Sequence, residues 1–224
     1  MLIVPDKQRW RRFTISTVVF LVILFMIKFN ATIGTTLDAI FQSLFTSQRL
    51  ENMGWFHALM VLVSFLGSPK MDLIWVAIIA IVLWLRNFRI PAVWAICTII
   101  GGDILGALVK AFVKRARPAQ HLASDDGYSF PSGHTLGFFL VVGILFLVVI
   151  PIMQNAAKRA ICQLLLIFAI FFLAVSRVYL YAHWPADTIG AMLLAYSWLQ
   201  VAEWLYVAWA PRLSQMSIFS HSIY

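Results

Sequence analysis

His183 and Asp187 stand four residues apart in "YLYAHWPADTIG", with Pro185 between them. A carboxylate beside an imidazole holds one ring nitrogen, fixes the tautomer and leaves the other nitrogen free to attack or to take a proton. Pro185 suits the first turn of a helix, which puts His183 at the helix mouth and Asp187 about one turn inside. Arg177 precedes the pair in "SRVYLYAHWPAD". The stretch "KAFVKRARP", residues 110–118, adds Lys110 and Arg117. A third, "SFPSGHT", residues 129–135, places Ser132, Gly133 and His134 at a helix start, where backbone N–H groups and the helix dipole favour negative charge.

Each stretch taken singly has an ordinary reading: basic side chains snorkelling at a helix end, a plain N-cap, and a capping His–Asp pair. Together they supply two histidines, an aspartate, several cations and an anion nest. The chemistry that suits this set is phosphoryl transfer, in which catalysis is mostly positioning and stabilisation of spread negative charge. Lys110, Arg117 and Arg177 can surround the phosphoryl oxygens, and Ser132 and the Gly133 N–H can complete the cradle. One histidine held by a carboxylate can act as nucleophile, and a second can protonate the leaving oxygen. The acids near these residues are Asp125, Asp126 and Asp187, set among cations, and no HExxH or paired-carboxylate pattern occurs. No metal and no cofactor is expected.

The elements that must position these groups belong to a membrane. Of 224 residues, 62% are hydrophobic and 12% charged, with mean hydropathy +0.89, far from the composition of a soluble domain. A net charge of +8 would suggest nucleic acid on a soluble protein; here it goes to topology and anionic ligands, and no nucleic-acid or obligate protein partner is expected. The expected fold is all-α and polytopic, a single domain over 1–224 with six transmembrane helices at 13–30, 71–86, 90–112, 134–153, 160–179 and 185–209. The first is an uncleaved N-terminal anchor, since "MLIVPDKQRWRRF" leads into it without a clear cleavage site. Between the first two spans, "LDAIFQSLF" has amphipathic spacing, and the 13-residue "WFHALMVLVSFLG" suits an interfacial or re-entrant segment.

Lys7, Arg9, Arg11, Arg12, Arg86, Arg89, Lys158, Arg159 and Arg212 then share one face, expected to be cytoplasmic with both termini. The other face receives Arg49, Lys70, Lys110, Lys114, Arg115, Arg117 and Arg177, along with all three chemical stretches. It is too basic for an outer face unless a bound anion requires it. Lys114 and Arg115 read as snorkelling side chains and Asp103 as a buried partner near the face of Lys110. Glu203 reads as part of an interfacial belt with "WLYVAW", His57 and His121 as isolated polar residues, and Cys97 and Cys162 as core thiols.

The spacing Lys110-x6-Arg117-Pro118, then Pro131-Ser132-Gly133-His134, then Ser176-Arg177-x5-His183-x3-Asp187, resembles the three-part signature of the type-2 phosphatidic acid phosphatase superfamily, without a substitution at a functional position. The resemblance implies a metal-independent membrane lipid phosphatase working through a phosphohistidine. It implies His183 as nucleophile, Asp187 as its orienting partner and His134 as general acid. Lys110, Arg117, Ser132, Gly133 and Arg177 are implied to bind phosphate. The short chain resembles undecaprenyl pyrophosphate phosphatases first and phosphatidylglycerophosphate or broad lipid phosphate phosphatases second. A lipid phosphotransferase would use the same site, and a non-enzymatic lipid phosphate carrier would need no nucleophile.

Overall fold

The computed structural model describes residues 1–45, 54–121 and 126–224; Arg49 and Asp125 lie outside them. Among the described residues all regular structure is helical: α1 Arg9–Lys28, α2 Thr32–Ser43, α3 Gly54–Leu66, α4 Pro69–Leu85, α5 Arg89–Val113, α6 Gly133–Ile144, α7 Ala156–Tyr179 and α8 Pro185–Leu213. Local chemistry sets many of the boundaries. Ser68 caps α4 by accepting from the Met71 N–H, with Pro69 at the first position. Asn155 caps α7 through Lys158 N–H at 2.9 Å. α6 runs on through a π-turn at Leu145–Val149 and a 3-10 turn at Ile150–Ile152, where Pro151 cannot continue an α-helix.

Among the described residues, four helices are long and apolar enough to cross a membrane: α1, α5, α6 with its extension to Ile152, and α7. α3 and α4 pass the same test jointly but are bent by 57° at their break, which makes five if the pair is one span. The chain is therefore a multi-pass membrane protein. The expected span at 185–209 falls within α8, which is long enough at 29 residues but less apolar. The reason is positional. Asp187, Ser197, Gln200 and Glu203 of α8 all face inward and are buried.

α8 is the axis of the bundle and packs on α1, α5, α6 and α7. Lipid is as apolar as leucine, so helices here are drawn together by close packing and hydrogen bonds rather than by exclusion of water. α8 accordingly buries Ala191, Ala195, Ala202 and Ala210. Polar ties cross the interfaces: Ser16 Oγ lies 2.7 Å from Ser197 Oγ, Trp94 Nε1 donates to the Ala202 carbonyl at 2.7 Å, and Trp198 Nε1 donates to the Thr98 carbonyl at 2.8 Å. Arg9 pairs with Glu203 at 3.4 Å, both buried. Glu203 is thus an inward ion-pair partner and not part of an interfacial belt.

α2 is amphipathic in an unusual sense. Its buried residues are the polar Asp38 and Gln42, while Ile33, Leu37, Ile40, Phe41 and Leu44 are exposed. Such a helix fits a lipid-facing surface with its polar stripe turned to protein. Two other expectations fail on position: Cys97 is exposed rather than core, and Asp103 lies on the exposed side of α5 rather than buried.

Candidate active site

Three chain segments converge at one end of the bundle. α5 closes with Lys114 in the left-handed region, φ 55° and ψ 41°, which turns the chain back across the helix ends. This return brings Arg115 and Arg117 inward. Arg117 donates from Nε to the Gly127 carbonyl at 3.1 Å, from Nη2 to the Asp126 carbonyl at 2.9 Å and from Nη1 to the Ala182 carbonyl at 2.7 Å. A guanidinium has five N–H donors, so donors remain for an anion after these three. Nη1 also lies 3.3 Å from His183 Nε2.

The second segment ends at α6. Ser132 is its N-cap, fully buried, and its Oγ accepts from Thr135 N at 3.4 Å and Thr135 Oγ1 at 3.1 Å. Its own hydroxyl proton is left to donate. The Ser132 N–H is fixed to the Asp187 carbonyl at 3.2 Å, so this loop is tied to the third segment. At Gly133 a Cβ would meet nothing within 4 Å, so open space adjoins the first backbone N–H groups of α6. His134 follows in the first turn, half-buried.

The third segment joins α7 to α8. Tyr181 takes a left-handed conformation, φ 57°, and the Ala182 and His183 N–H groups both return to the Arg177 carbonyl, at 3.1 and 3.2 Å. This tight turn presents His183 at the mouth of α8, with Pro185 in its first turn as the sequence predicts. His183 is 1% exposed and Asp187 0%. His183 Nδ1 faces Asp187 Oδ2 at 3.5 Å, which leaves Nε2 toward Arg117. Burial pushes the His183 imidazole down to about 4; Asp187 pulls it up, and Arg177 and Arg117 press it further down. The ring is therefore neutral at neutral pH, the form in which a nitrogen lone pair can attack.

Lys110 lies within electrostatic reach of Arg117, Arg177 and Asp187, and His134 within reach of Arg177, His183, Arg117 and Lys110. Arg177 is buried and donates from Nη1 to Ser64 Oγ of α3. All eight residues singled out from the sequence thus gather in one cluster. Arg115 does not snorkel: its Nη1 donates to Asp187 Oδ1 at 2.6 Å, its Nη2 pairs with Asp38 of α2, and its guanidinium lies over the Trp184 ring. Asp38 was missed altogether. Its signal was the polar pair it forms with Gln42, one turn apart on a helix that also carries Ile33, Leu37, Ile40 and Phe41.

Beside the cluster, an apolar cleft of about 370 Å³ opens between α3, α6 and α7, lined by Val63, Leu66, Phe138, Phe168, Phe172 and Leu173. Its α3 wall adjoins Ser64 and its α7 wall ends one turn before Arg177. A cluster of cationic side chains thus stands next to an apolar trough.

The family model described as the PAP2 superfamily matches residues 91–211, which span the three convergent segments. An undecaprenyl-diphosphatase of Sulfolobus acidocaldarius is 25% identical over 158 residues, 67% of this chain and 72% of that protein. A phosphatidylglycerophosphatase B of Escherichia coli is 32% identical over 89 residues, 38% of this chain and 32% of that protein. A bacitracin transport permease protein of Bacillus licheniformis is 28% identical over 145 residues, 60% of this chain and 64% of that protein. The crystal structure of a transmembrane PAP2-type phosphatidylglycerolphosphate phosphatase from Bacillus subtilis superposes with a TM-score of 0.76, covering 92% of this chain and 98% of that one at 18% identity, a likeness of fold. With a family match over more than half its length on a helical membrane fold of the same kind, this chain belongs to the PAP2 superfamily of membrane lipid phosphatases.

Proposed function

We propose that the protein removes the terminal phosphate of a phosphorylated lipid through a covalent phosphohistidine, with undecaprenyl pyrophosphate as substrate and undecaprenyl phosphate as product. The observation that carries this reading is the buried His183, with Nδ1 3.5 Å from Asp187 Oδ2 and Nε2 3.3 Å from Arg117 Nη1. In the first step Nε2 attacks the terminal phosphorus and the P–O bond to the bridging oxygen breaks. His134 gives its proton to that oxygen, and Lys110, Arg117, Arg177, Ser132 and the Gly133 N–H hold the three phosphoryl oxygens. In the second, His134 takes a proton from water, the water oxygen attacks phosphorus and the P–N bond to His183 breaks. The cations perform the charge neutralisation that a metal would otherwise supply, and Asp187 is already engaged by Arg115 and the Trp184 N–H.

The choice of lipid is supported by the undecaprenyl-diphosphatase relative, which aligns over two thirds of this chain, and by the apolar trough beside the site. A phosphatidylglycerophosphate substrate is the second reading, favoured by the fold likeness to the Bacillus subtilis phosphatase. In the membrane, α3 and α4 form one broken span and α8 a sixth span. Both termini are cytoplasmic and the site faces outward, where cations would otherwise be disfavoured. Phosphate release by the purified protein from undecaprenyl pyrophosphate, phosphatidylglycerophosphate, phosphatidate and diacylglycerol pyrophosphate decides among substrates. Highest kcat/KM on the polyprenyl pyrophosphate is expected. Preference for phosphatidylglycerophosphate would install the second reading, and activity retained in His183→Ala would overturn the covalent route.

A further inference from the structure

We infer that Asp38 and Arg115 are positioning residues that set how much of the Asp187 charge reaches His183. The inference rests on the phosphohistidine reading above. Arg115 stands between two buried carboxylates: Nη1 holds Asp187 Oδ1 at 2.6 Å and Nη2 holds Asp38. Asp38 is 3% exposed, and its other oxygen accepts the Ala186 N–H at the start of α8 at 2.9 Å, between the nucleophile and its partner in the chain. Gln42, one turn on, donates to the Val178 carbonyl at 2.8 Å, and Tyr181 Oη donates to the Phe45 carbonyl at 2.6 Å. The polar face of α2 therefore grips the α7–α8 turn that carries His183. Neither Asp38 nor Arg115 occupies a position of the three-part sequence pattern, and neither is counted among the phosphate-binding groups.

The electrostatics give each residue a distinct task. Asp187 orients His183 and stabilises the positive charge that its ring develops on attacking phosphorus. An unopposed Arg115 would cancel that help, and Asp38 opposes it. Removing Arg115 instead leaves two buried carboxylates facing each other, whose repulsion favours uptake of a proton by one of them. Among the described residues, the groups around this pair are few. They are His183 and the Trp184 N–H on the same turn, Arg117 and Lys110 from the α5 end, Arg177 from α7 and His134 from α6.

Four variants test the assignment: Asp38→Asn, Arg115→Ala, the double variant, and Arg115→Lys, each in purified detergent-solubilised protein. Arg115→Ala should lower kcat roughly 10- to 100-fold, the scale typical of removing a partner that orients a site residue. Its acid limb should move to higher pH, while competitive inhibition by inorganic phosphate stays within about threefold of the parent. Adding Asp38→Asn to Arg115→Ala should restore part of kcat and return the acid limb, because a single carboxylate then remains. Asp38→Asn alone should lower kcat at unchanged phosphate inhibition, and Arg115→Lys should lie between parent and Arg115→Ala. Undiminished kcat in Asp38→Asn, loss of phosphate inhibition together with kcat in Arg115→Ala, or a double variant worse than Arg115→Ala would each overturn the inference. If Arg115→Ala does not fold, the Asp38→Asn and Arg115→Lys arms decide by the same criteria. Labelled phosphate trapped on His183 in the parent, formed at unaltered rate in all four variants, would sink this inference and leave the phosphohistidine reading intact. Turnover by His183→Ala would sink that reading itself.

Discussion

At the scale of single residues, His183 is governed by dryness. Burial outweighs the pull of Asp187, and the imidazole is held down to about 4 from its ordinary value of 6.5. Between those values the unfolded chain binds a proton that the folded site refuses. The stability this group contributes is therefore full above about 6.5 and is lost as pH falls toward about 4. In the proposed mechanism the same shift keeps His183 neutral in mild acid. Formation of the phosphoenzyme in rapid-quench experiments is expected to hold its rate down to about pH 5; a fall centred at the ordinary histidine value would contradict the buried-neutral assignment. The two histidines separate by leaving group. His134→Ala should slow turnover of the lipid substrate by roughly 10²–10⁴-fold, with a much smaller loss on an activated aryl phosphate that needs little protonation. Equal losses on both substrates would argue against a general acid at 134.

At the scale of elements, the loop before α6 and the first turns of α8 are fitted to each other. Phe130 is fully buried, stacks on Phe20 of α1 at 6.0 Å, and lies where a Cβ on Gly190 would come within 2.4 Å of its ring. A rigid aromatic ring cannot yield as the end of a flexible chain would. Gly190→Ala should therefore cost about 1–3 kcal/mol through overpacking, and it should displace the Ser132 loop from the Asp187 carbonyl. Thermal unfolding in detergent measures the first effect and a raised inhibition constant for inorganic phosphate the second. Wild-type values for both would show that the two elements are packed more loosely than these contacts imply.

At the scale of the whole molecule, the charge distribution ties orientation to chemistry. On a background of Cys97→Ser and Cys162→Ser, a cysteine at Gln120 should react with a membrane-impermeant maleimide added outside intact cells. One at Lys158 should react only after permeabilisation; the reverse pattern would turn the site to the cytoplasm and remove the argument for an outward-facing phosphatase. If the clustered cations hold the phosphate as proposed, activity should survive excess EDTA. Complete loss in EDTA, restored by Mg²⁺, would show that protein cations alone do not suffice.

The three chemical stretches and the polytopic helical class were legible in the sequence because hydropathy and motif spacing are local properties of the chain. Pro185 at a helix start and Ser132 at an N-cap are likewise local, and the structure has both. What tertiary structure decided lies in long-range pairing. Arg115 looked like a surface cation because its partners, Asp38 and Asp187, lie 77 and 72 residues away. Glu203 looked interfacial because its partner is Arg9, 194 residues distant. α8 reads as barely apolar, since the average over a helix cannot tell polar side chains facing protein from those facing lipid. For the same reason α2 shows its periodicity in the sequence but not its direction. Periodicity states that two faces differ, and only packing against the α7–α8 turn determines that the polar one is buried.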